Sequence, residues 1–376
     1  MRVLVAPDKF AGTLTAVEAA EAIAVGWHRH APQDEVVLAP MSDGGPGFVD
    51  VLHASLGGDL LAVSVAGPAR AGDTGDTGDT GGAGDTQVPA TLLLVGGTAY
   101  VESAQACGIH LTGGRHGERH TTAGVGALVK EAVAAGAQRV VVGLGGSGTV
   151  DGGAGLLAAL GARADVPLDA GGAMLRGVRT VDLRPARAVV TGVDLVAATD
   201  VDSPLAGLFG AAKTFGAQKG LDEGAQIVVD GYLQELALAT DRRLALEPGA
   251  GAAGGLGFAL LLLGGARVPG FALVADAVGL AEHARHADIV ITGEGSFDFS
   301  SRTGKVPAGV AAVAAEALRP CVVLAGEVLV GAREMRALGM DGAYSLVDAF
   351  GRERAFADPA GALSDLAARV ARTWSA

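Results

Sequence analysis

Short runs of apolar residues, each followed by a polar or glycine-rich loop, recur along this 376-residue chain and constrain its fold more than any other feature. Continuous apolar runs suit strands that are buried on both faces of a parallel sheet. Segments with helical spacing lie between them, and the first begins with a capping box of Thr15 and Glu18. The pattern therefore predicts an α/β protein. The predicted strands are Val3–Ala6, Val36–Leu38, Leu61–Val65, Thr91–Val95, Ala99–Glu102, Val140–Gly143, Leu195–Thr199, Ile289–Thr292 and Val322–Ala325.

The loop Gly143–Gly155, with the sequence GLGGSGTVDGGAG, directly follows the β-branched run Val140–Val142. More than half of its residues are glycine, so amide groups at this strand end can approach an anion such as a phosphate closely. Its acid, Asp151, would repel a bare phosphate and so indicates either an intervening magnesium ion or a hydroxylated substrate. The loop alone leaves these two explanations open.

Charge and composition exclude several classes of partner. The net charge is −13 and the chain has no run of Lys or Arg, which argues against nucleic acid. The longest apolar run, Phe258–Leu263, is far shorter than a membrane span. Cys107 and Cys321 lie in apolar surroundings, so we expect buried thiols in a reducing compartment. With no signal peptide in the sequence, we expect a soluble cytoplasmic protein that binds a small molecule and can form a homodimer.

Two loops near the N-terminus place charged residues at predicted strand ends. The first, APDKFAGTLTA, carries Asp8 and Lys9, and the second, MSDGGPGF, carries Asp43. Ligands of open α/β sheets bind beyond the carboxyl ends of the strands. Each residue is therefore a candidate for the site, and the alternatives are a turn formed by either aspartate and a solvated Lys9.

Two loops in the middle of the chain repeat this pattern. ATDVDSPLAG follows a predicted strand with Asp200 and Asp202, and TFGAQKG supplies Gln218 and Lys219. Acids two positions apart after a strand point to the same side, which suits a metal ion or a polyol substrate. A turn with two solvated acids is the alternative.

The segment TGEGSFDFSSRTGK, residues 292–305, follows the predicted strand that begins at Ile289 and leads into a helix. It combines the acids Glu294 and Asp298 with the cations Arg302 and Lys305. Carboxylates and cations in one loop suit a site that holds Mg²⁺ together with phosphoryl oxygens. Of the charged loops, this segment is the one that most favours a functional site.

Several well-known motifs are absent from the sequence. Lys305 is followed by Val306, so the GKV sequence is not a Walker A loop. The dinucleotide-binding fingerprint includes an acidic residue at a strand end about 20 residues after the glycines, and neither Asp165 nor Asp169 ends a predicted strand. A zinc-binding CxxC pair and a GxSxG elbow are also missing. An NAD-dependent oxidoreductase remains only as an alternative.

The domain organisation is predicted from the ends of the chain, which look like parts of one βα set. We expect a terminal α/β domain of residues 1–66 and 288–376, with residues 67–287 inserted as a second α/β domain. Residues 71–86 contain GDTGDTGDT and no apolar residue beyond alanine, so we expect a flexible, low-complexity loop.

Taken in order, seven loops resemble the signature set of the bacterial glycerate kinase family, type I. These are APDKFAGTLTA, MSDGGPG, GLGGSGTVDGGAG, ATDVDSPLAG, FGAQKG, PGAGAAGGLG and TGEGSFDFSSRTGKVPAGVA. The resemblance runs from Val3 to about Gly326. It implies ATP-dependent phosphorylation of D-glycerate with Mg²⁺, at the 2-hydroxyl, giving 2-phosphoglycerate and ADP. It also implies one flavodoxin-like and one restriction-endonuclease-like domain, with the active site in the cleft between them.

Under this hypothesis of phosphoryl transfer, the candidate residues of these loops have four roles. The predicted catalytic residues are Asp43, Asp151, Asp200, Asp298 and Lys305, with Asp151 or Asp200 as general base. The predicted nucleotide-binding residues are Gly145, Gly146, Ser147, Thr149, Gly254, Gly255 and Lys219. The predicted substrate-binding residues are Asp8, Lys9 and Arg302. The predicted magnesium ligands are Asp43, Glu294 and Asp298.

Some positions depart from the family pattern. Pro46, Val150 and Ser300 stand where the family usually has Glu, Asn and Gln. Lost hydrogen-bonding groups alter specificity more than reaction class, so the acceptor is less certain than the chemistry. A non-catalytic sensor of a nucleotide or sugar acid on the same fold is the second alternative.

Overall fold

The computed structural model describes residues 1–69, 86–298 and 305–375. Strands and helices alternate along them, so the α/β prediction is confirmed. The strands are β1 (Arg2–Val5), β2 (Glu35–Leu38), β3 (Asp59–Ala66), β4 (Gln87–Val95), β5 (Thr98–Glu102), β6 (Arg139–Gly143), β7 (Arg163–Ala164), β8 (Val181–Asp182), β9 (Asp194–Ala198), β10 (Ala266–Val268), β11 (Ile289–Phe297), β12 (Cys321–Val328) and β13 (Gly342–Ser345).

The helices of the described residues vary from one turn to more than four. They are α1 (Ala16–His30), α2 (Phe48–Leu56), α3 (Ala104–Cys107), α4 (Ile109–Thr112), α5 (Ala123–Ala134), α6 (Ala154–Ala159), α7 (Arg184–Val189), α8 (Ala211–Phe215), α9 (Glu223–Ala239), α10 (Ala252–Leu262), α11 (Gly270–Ala277), α12 (Leu280–His286), α13 (Val306–Glu316), α14 (Ala332–Ala337), α15 (Leu346–Phe350), α16 (Arg352–Ala357) and α17 (Pro359–Trp374). Short 3₁₀ helices span Gly172–Leu175, Ala217–Lys219 and Leu244–Leu246. In none of these described helices is there a stretch long and apolar enough to cross a membrane.

By its internal contacts the chain divides into two units. The first comprises Met1–Asp43, Asp50–Gly57 and Pro269–Ala376, and the second comprises Gly44–Val49 and Gly58–Val268. The domain boundaries expected from the sequence stay a prediction. The low-complexity loop falls almost entirely on residues 70–85, outside the described residues, between the paired strands β3 and β4.

The first unit is built on a parallel sheet with the order β13-β12-β11-β1-β2. Its central strands are buried on both faces, as the apolar runs predict. Ile23 and Trp27 of α1 are fully buried in the same core cluster as Val3 and Val5 of β1. The predicted capping box at the start of α1 is confirmed, since Thr15 and Glu18 bond reciprocally.

The second unit contains a mixed sheet with the order β10-β9-β6-β5-β4-β3. Strands β5, β6, β9 and β10 run parallel, whereas β3, β4 and β5 form antiparallel neighbours. Every predicted strand is present, but the antiparallel half does not fit the parallel pattern that the apolar runs suggested. Residues 60–64 of β3 alternate between exposed and half-buried. Such alternation is typical of an antiparallel sheet with one face towards solvent, and not of a parallel sheet buried on both faces.

Candidate functional site

The first unit brings four predicted site residues to one edge of its sheet. Strands β1, β2 and β11 run parallel, so the segments that follow them leave from the same edge. Asp8 follows β1 and its amide donates to the carbonyl of Gly293 on β11 at 2.8 Å. Asp43 follows β2, Glu294 lies on β11, and Asp298 comes directly after it. These four residues therefore lie at the edge where open α/β sheets bind ligands, and their roles stay predictions.

Asp8, Lys9 and Asp43 interact electrostatically. Asp8 is 7% exposed, and its carboxylate accepts the Lys9 backbone amide at 2.8 Å. The Lys9 ammonium lies 3.6 Å from the same carboxylate oxygen. Burial raises the pKa of Asp8 to about 6; the charge of Lys9 opposes this rise, and the charge of Asp43 adds to it. A buried carboxylate that titrates near neutrality is well suited to accept a proton in catalysis.

The segment after β11 supplies the remaining charges of the first unit. Glu294 is buried at 6% exposure, whereas Asp298 is half-buried. Lys305 is half-buried and immediately precedes helix α13. Arg302, predicted to bind substrate, lies outside the described residues, as does Ser300.

One or two carboxylates at this edge would suit a magnesium ion whose other ligands are phosphate oxygens and water. Among residues 1–69, 86–298 and 305–375, no three His, Cys, Asp or Glu side chains form a group that could hold a metal ion by themselves. Mg²⁺ usually takes only one or two carboxylates and completes its shell with substrate phosphates and water. Carboxylates such as Asp43, Glu294 and Asp298 are therefore the right chemistry, though not a preformed metal cage.

The glycine loop of the second unit is organised around Asp151. This residue is completely buried, and its two carboxylate oxygens accept four hydrogen bonds. The donors are the Thr122 amide and hydroxyl, both at 2.8 Å, the Gly153 amide at 2.9 Å and the Gly155 amide at 3.2 Å. Burial raises the pKa of Asp151 despite these bonds. The carboxylate thus joins the loop to the start of α5 and to α6.

The first glycines of the loop pack against the segment that follows Asp43. A Cβ on Gly145 would lie 2.4 Å from the Gly45 Cα, and one on Gly146 would lie 2.8 Å from the Pro46 ring. Gly146 has a φ of +67° and is exposed. The amides of Leu144, Gly148 and Val150 donate to carbonyls of the protein, so they are already engaged. An anion at this loop would meet Gly145 and Gly146 first.

Lys219 lies under the same loop. It is 2% exposed, and its ammonium donates to the Ser147 hydroxyl at 2.8 Å and to the Thr149 carbonyl at 2.9 Å. Ser147 and Thr149 are also buried. The predicted nucleotide-binding residues Lys219, Ser147 and Thr149 thus contact each other. Burial lowers the pKa of Lys219 to about 8.

The depressed pKa of Lys219 predicts a measurable pH dependence of stability. Because this pKa is lower in the folded than in the unfolded chain, the unfolded state holds more protons between pH 8 and pH 10. The free energy of unfolding should therefore gain up to roughly 1.4 kcal/mol per pH unit from this group. Lys219→Met should remove that gain, as measured by guanidinium unfolding at pH 8, 9 and 10.

The matched control for this prediction is Lys130→Met, which changes an exposed lysine of α5. It should keep the pH dependence of the wild-type protein. An identical slope in Lys219→Met and wild type would contradict the assignment.

Gly254 and Gly255 interrupt helix α10 with left-handed backbone, at φ +71° and +99°. A Cβ on Gly254 would lie 1.9 Å from the Thr149 carbonyl oxygen, and the Gly152 amide donates to the Gly254 carbonyl at 3.0 Å. Both glycines are buried against the loop. The structure therefore brings these predicted residues together with the glycine loop as its packing partners.

The predicted pair after β9 separates. Asp200 is half-buried, whereas the side chain of Asp202 is 76% exposed and pairs with Arg267 at 2.6 Å. Two further residues were not predicted: Thr122, which binds Asp151, and Glu102, which accepts hydrogen bonds from the amides of Gly47 and Val49. Glu102 ends a predicted strand, which is the signal that singled out the other acids.

The first unit has carboxylates at one edge of its sheet and the second has a glycine-rich loop after a strand, a combination that suits the phosphotransferase class. Residues 3–375 match the model of the Glycerate kinase family. A glycerate kinase of Halalkalibacterium halodurans is 36% identical, over 92% of this chain and 90% of the relative. The glycerate 2-kinase of Escherichia coli K12 is 33% identical, over 93% of this chain and 92% of the relative.

Comparison with a solved structure indicates the same family. The crystal structure of the protein assigned as glycerate kinase 2 of Salmonella typhimurium LT2 has a TM-score of 0.79 and 31% identity, over 99% of this chain and 98% of that one. The chain belongs to the glycerate kinase family, as its ordered motifs predicted. It is an enzyme of the kinase class, and the sensor and oxidoreductase alternatives gain no support.

Proposed function

We propose that the protein transfers the γ-phosphoryl group of ATP to the 2-hydroxyl of D-glycerate, releasing 2-phosphoglycerate and ADP. Family membership supports glycerate as the acceptor, and the Escherichia coli relative is named a 2-kinase. The observation that carries the chemistry is Asp8, a buried carboxylate with a pKa of about 6, next to Lys9 at the edge of a parallel sheet.

Asp8 is the best proton acceptor for the substrate hydroxyl. Above pH 6 its carboxylate is ionised and can take the proton as the hydroxyl oxygen bonds to the γ-phosphorus. The bond from that phosphorus to the bridging oxygen breaks in the same step, and ADP leaves with the electron pair. Lys9 is close enough to Asp8 to bind the carboxylate of glycerate. This assigns a base that differs from the two predicted from the sequence.

Asp43, Glu294 and Asp298 would hold Mg²⁺ in this proposal. The bound ion would neutralise phosphate charge during transfer. Lys305 would add positive charge from the start of α13. These are the roles predicted from the sequence, as is that of Arg302 in binding the substrate.

The glycine loop would bind phosphate through Gly145 and Gly146, the part of the loop that is not fully buried. Lys219, Ser147, Thr149, Gly254 and Gly255 would support this loop from beneath. We assign Asp151 to holding the loop, because both of its oxygens already accept hydrogen bonds. The roles predicted for Asp151 and Asp200 as base, and the cleft location, stay predictions.

The proposal is tested with purified enzyme, ATP, Mg²⁺ and D-glycerate, with ADP release followed against a blank without acceptor. ³¹P NMR of the product separates 2-phosphoglycerate from 3-phosphoglycerate. We expect ADP in equal amounts with 2-phosphoglycerate, and little reaction with L-glycerate. ADP release at the level of the blank would refute glycerate as acceptor, and a 3-phosphoglycerate product would refute the 2-position.

A further inference from the structure

A cavity of about 190 Å³ in the first unit lies where the order of the strands reverses. Taken by chain position, the five strands have the 2-1-3-4-5 order of flavodoxin-like sheets. The connections from β1 and β11 therefore depart in opposite directions and leave a crevice between their carboxyl ends, which is where such sheets bind ligands. Phe10 and Ala11 after β1 line the cavity on one side, and Gly295 and Ser296 of β11 line it on another.

The walls of this cavity are mostly apolar. The described residues that line it are Phe10, Ala11, Thr13, Gly295, Ser296, Gly326, Glu327, Leu346, Val347, Ala355, Phe356 and Pro359. None of these carries a positive charge, and the acid among them, Glu327, is paired with Arg352. The guanidinium beside these walls, that of Arg352, is already paired with Glu327, so a glycerate carboxylate or a phosphate would compete with that ion pair, whereas an uncharged ring would bury apolar surface.

Bare backbone and an aromatic ring shape the cavity for a flat ligand. A Cβ on Gly326 would lie 2.4 Å from the Gly295 carbonyl oxygen, so side chains are excluded from this part of the wall. Phe356 is 54% exposed, and the Arg352 guanidinium lies 5.0 Å from the centre of its ring. The volume is below the roughly 300–1,000 Å³ of sites that enclose a whole drug-sized ligand, so it suits one ring system of a larger molecule.

We propose that this cavity binds the adenine base of the nucleotide substrate. The inference rests on the proposed function and adds where the nucleotide is recognised. Strand β11 carries Gly295 and Ser296 at the cavity and Glu294 beside them, so one ligand with an apolar ring and a metal-bound anionic tail can engage both. The Glu327 carboxylate can accept a hydrogen bond from the amino group of adenine, whereas the corresponding carbonyl of guanine would meet an acceptor.

Two substitutions test the cavity without altering the proposed catalytic residues. Ala11→Trp places a large side chain at an exposed lining position, and Phe356→Ala removes the exposed aromatic wall. Isothermal titration of each variant with ADP and Mg²⁺ measures nucleotide binding without turnover, and titration with inorganic pyrophosphate measures phosphate binding alone. Val25→Trp and Val25→Ala, at a 59% exposed position of α1, are the matched controls.

We expect Ala11→Trp to weaken ADP binding at least tenfold and Phe356→Ala about threefold to tenfold, with pyrophosphate binding unchanged. The KM for ATP should rise in parallel while the KM for D-glycerate stays within twofold. Wild-type affinity for ADP in both variants, or a rise confined to the KM for D-glycerate, would overturn the proposal. If wild type shows no ATP-dependent turnover, the proposed function fails, and the ADP titrations still decide the cavity.

Discussion

Replacing Asp8 with asparagine should lower kcat by roughly 10²- to 10⁴-fold, the range typical for loss of a general base. The substitution removes the proton acceptor but keeps a side-chain oxygen that can accept the Lys9 amide. Asp50→Asn, at an exposed position of α2 in the same unit, is the matched control and should keep wild-type activity. Steady-state kinetics with ATP and D-glycerate measures both.

The pH profile separates catalysis by Asp8 from a merely structural role. With a pKa of about 6, the wild-type kcat/KM should fall towards tenfold per pH unit below pH 6, as the base becomes protonated. Asp8→Asn should lose this acid limb together with most of its rate. A variant that keeps the limb, or a rate within threefold of wild type, would contradict the assignment.

The same substitution should not destabilise the protein. Because the pKa of Asp8 is raised in the folded state, the folded chain binds more protons than the unfolded chain between about pH 4 and pH 6. The contribution of Asp8 to stability therefore decreases as pH rises through this window, by at most about 3 kcal/mol. Asp8→Asn avoids that cost at pH 8, so its Tm should equal or exceed that of wild type.

Replacing Asp151 with asparagine should, unlike Asp8→Asn, lower the stability of the protein. We expect the second unit to lose about 2 kcal/mol or more of its free energy of unfolding. Four donors converge on the buried carboxylate, and an amide must turn its own NH₂ group towards at least one of them. Relief from burying a charge offsets part of this loss. The Tm should fall by roughly 4–8 °C, and activity should fall at least tenfold as the glycine loop loses its support.

Thr122→Val tests whether Asp151 acts by holding the loop. It removes a hydroxyl that donates to Asp151 and accepts the Leu156 amide, while the carboxylate itself remains. We expect it to lose activity in the same direction as Asp151→Asn. Wild-type activity in Thr122→Val, with an inactive Asp151→Asn, would instead support the predicted role of Asp151 as base. The control Asp194→Asn changes a 59% exposed carboxylate and should shift stability by less than about 0.5 kcal/mol.

Much of the fold could be predicted because its signals are local. Apolar runs such as Val140–Val142 and the capping box at Thr15 depend on neighbours within a few residues. Very short elements, such as β7 with two residues and β10 with three, carry too little pattern to be predicted. The antiparallel pairing of β3 with β4 was also missed, since pairing direction is a property of two strands and their connection.

The candidate site was predicted as a set of loops but not as a set of roles. Asp8 and Asp151 follow the same pattern of an acid beside glycine or lysine after a strand. In the structure Asp8 lies at a sheet edge beside a cation, whereas Asp151 is enclosed by four donors. Lys219 likewise reads as a cation for phosphate, yet its ammonium is bound to Ser147 and Thr149.

The sequence by itself determined the α/β class, the longer strands and the loops in which the candidate site residues lie, because hydrophobic period and glycine content are local properties. Only the tertiary structure decided which carboxylate is poised to titrate, which is locked in hydrogen bonds and where a cavity opens. Those properties depend on burial and on neighbours distant in the chain. The Asp8 amide donates to the Gly293 carbonyl, and the Asp151 carboxylate accepts the Thr122 amide. Both hydrogen bonds join residues that only the folded chain brings together.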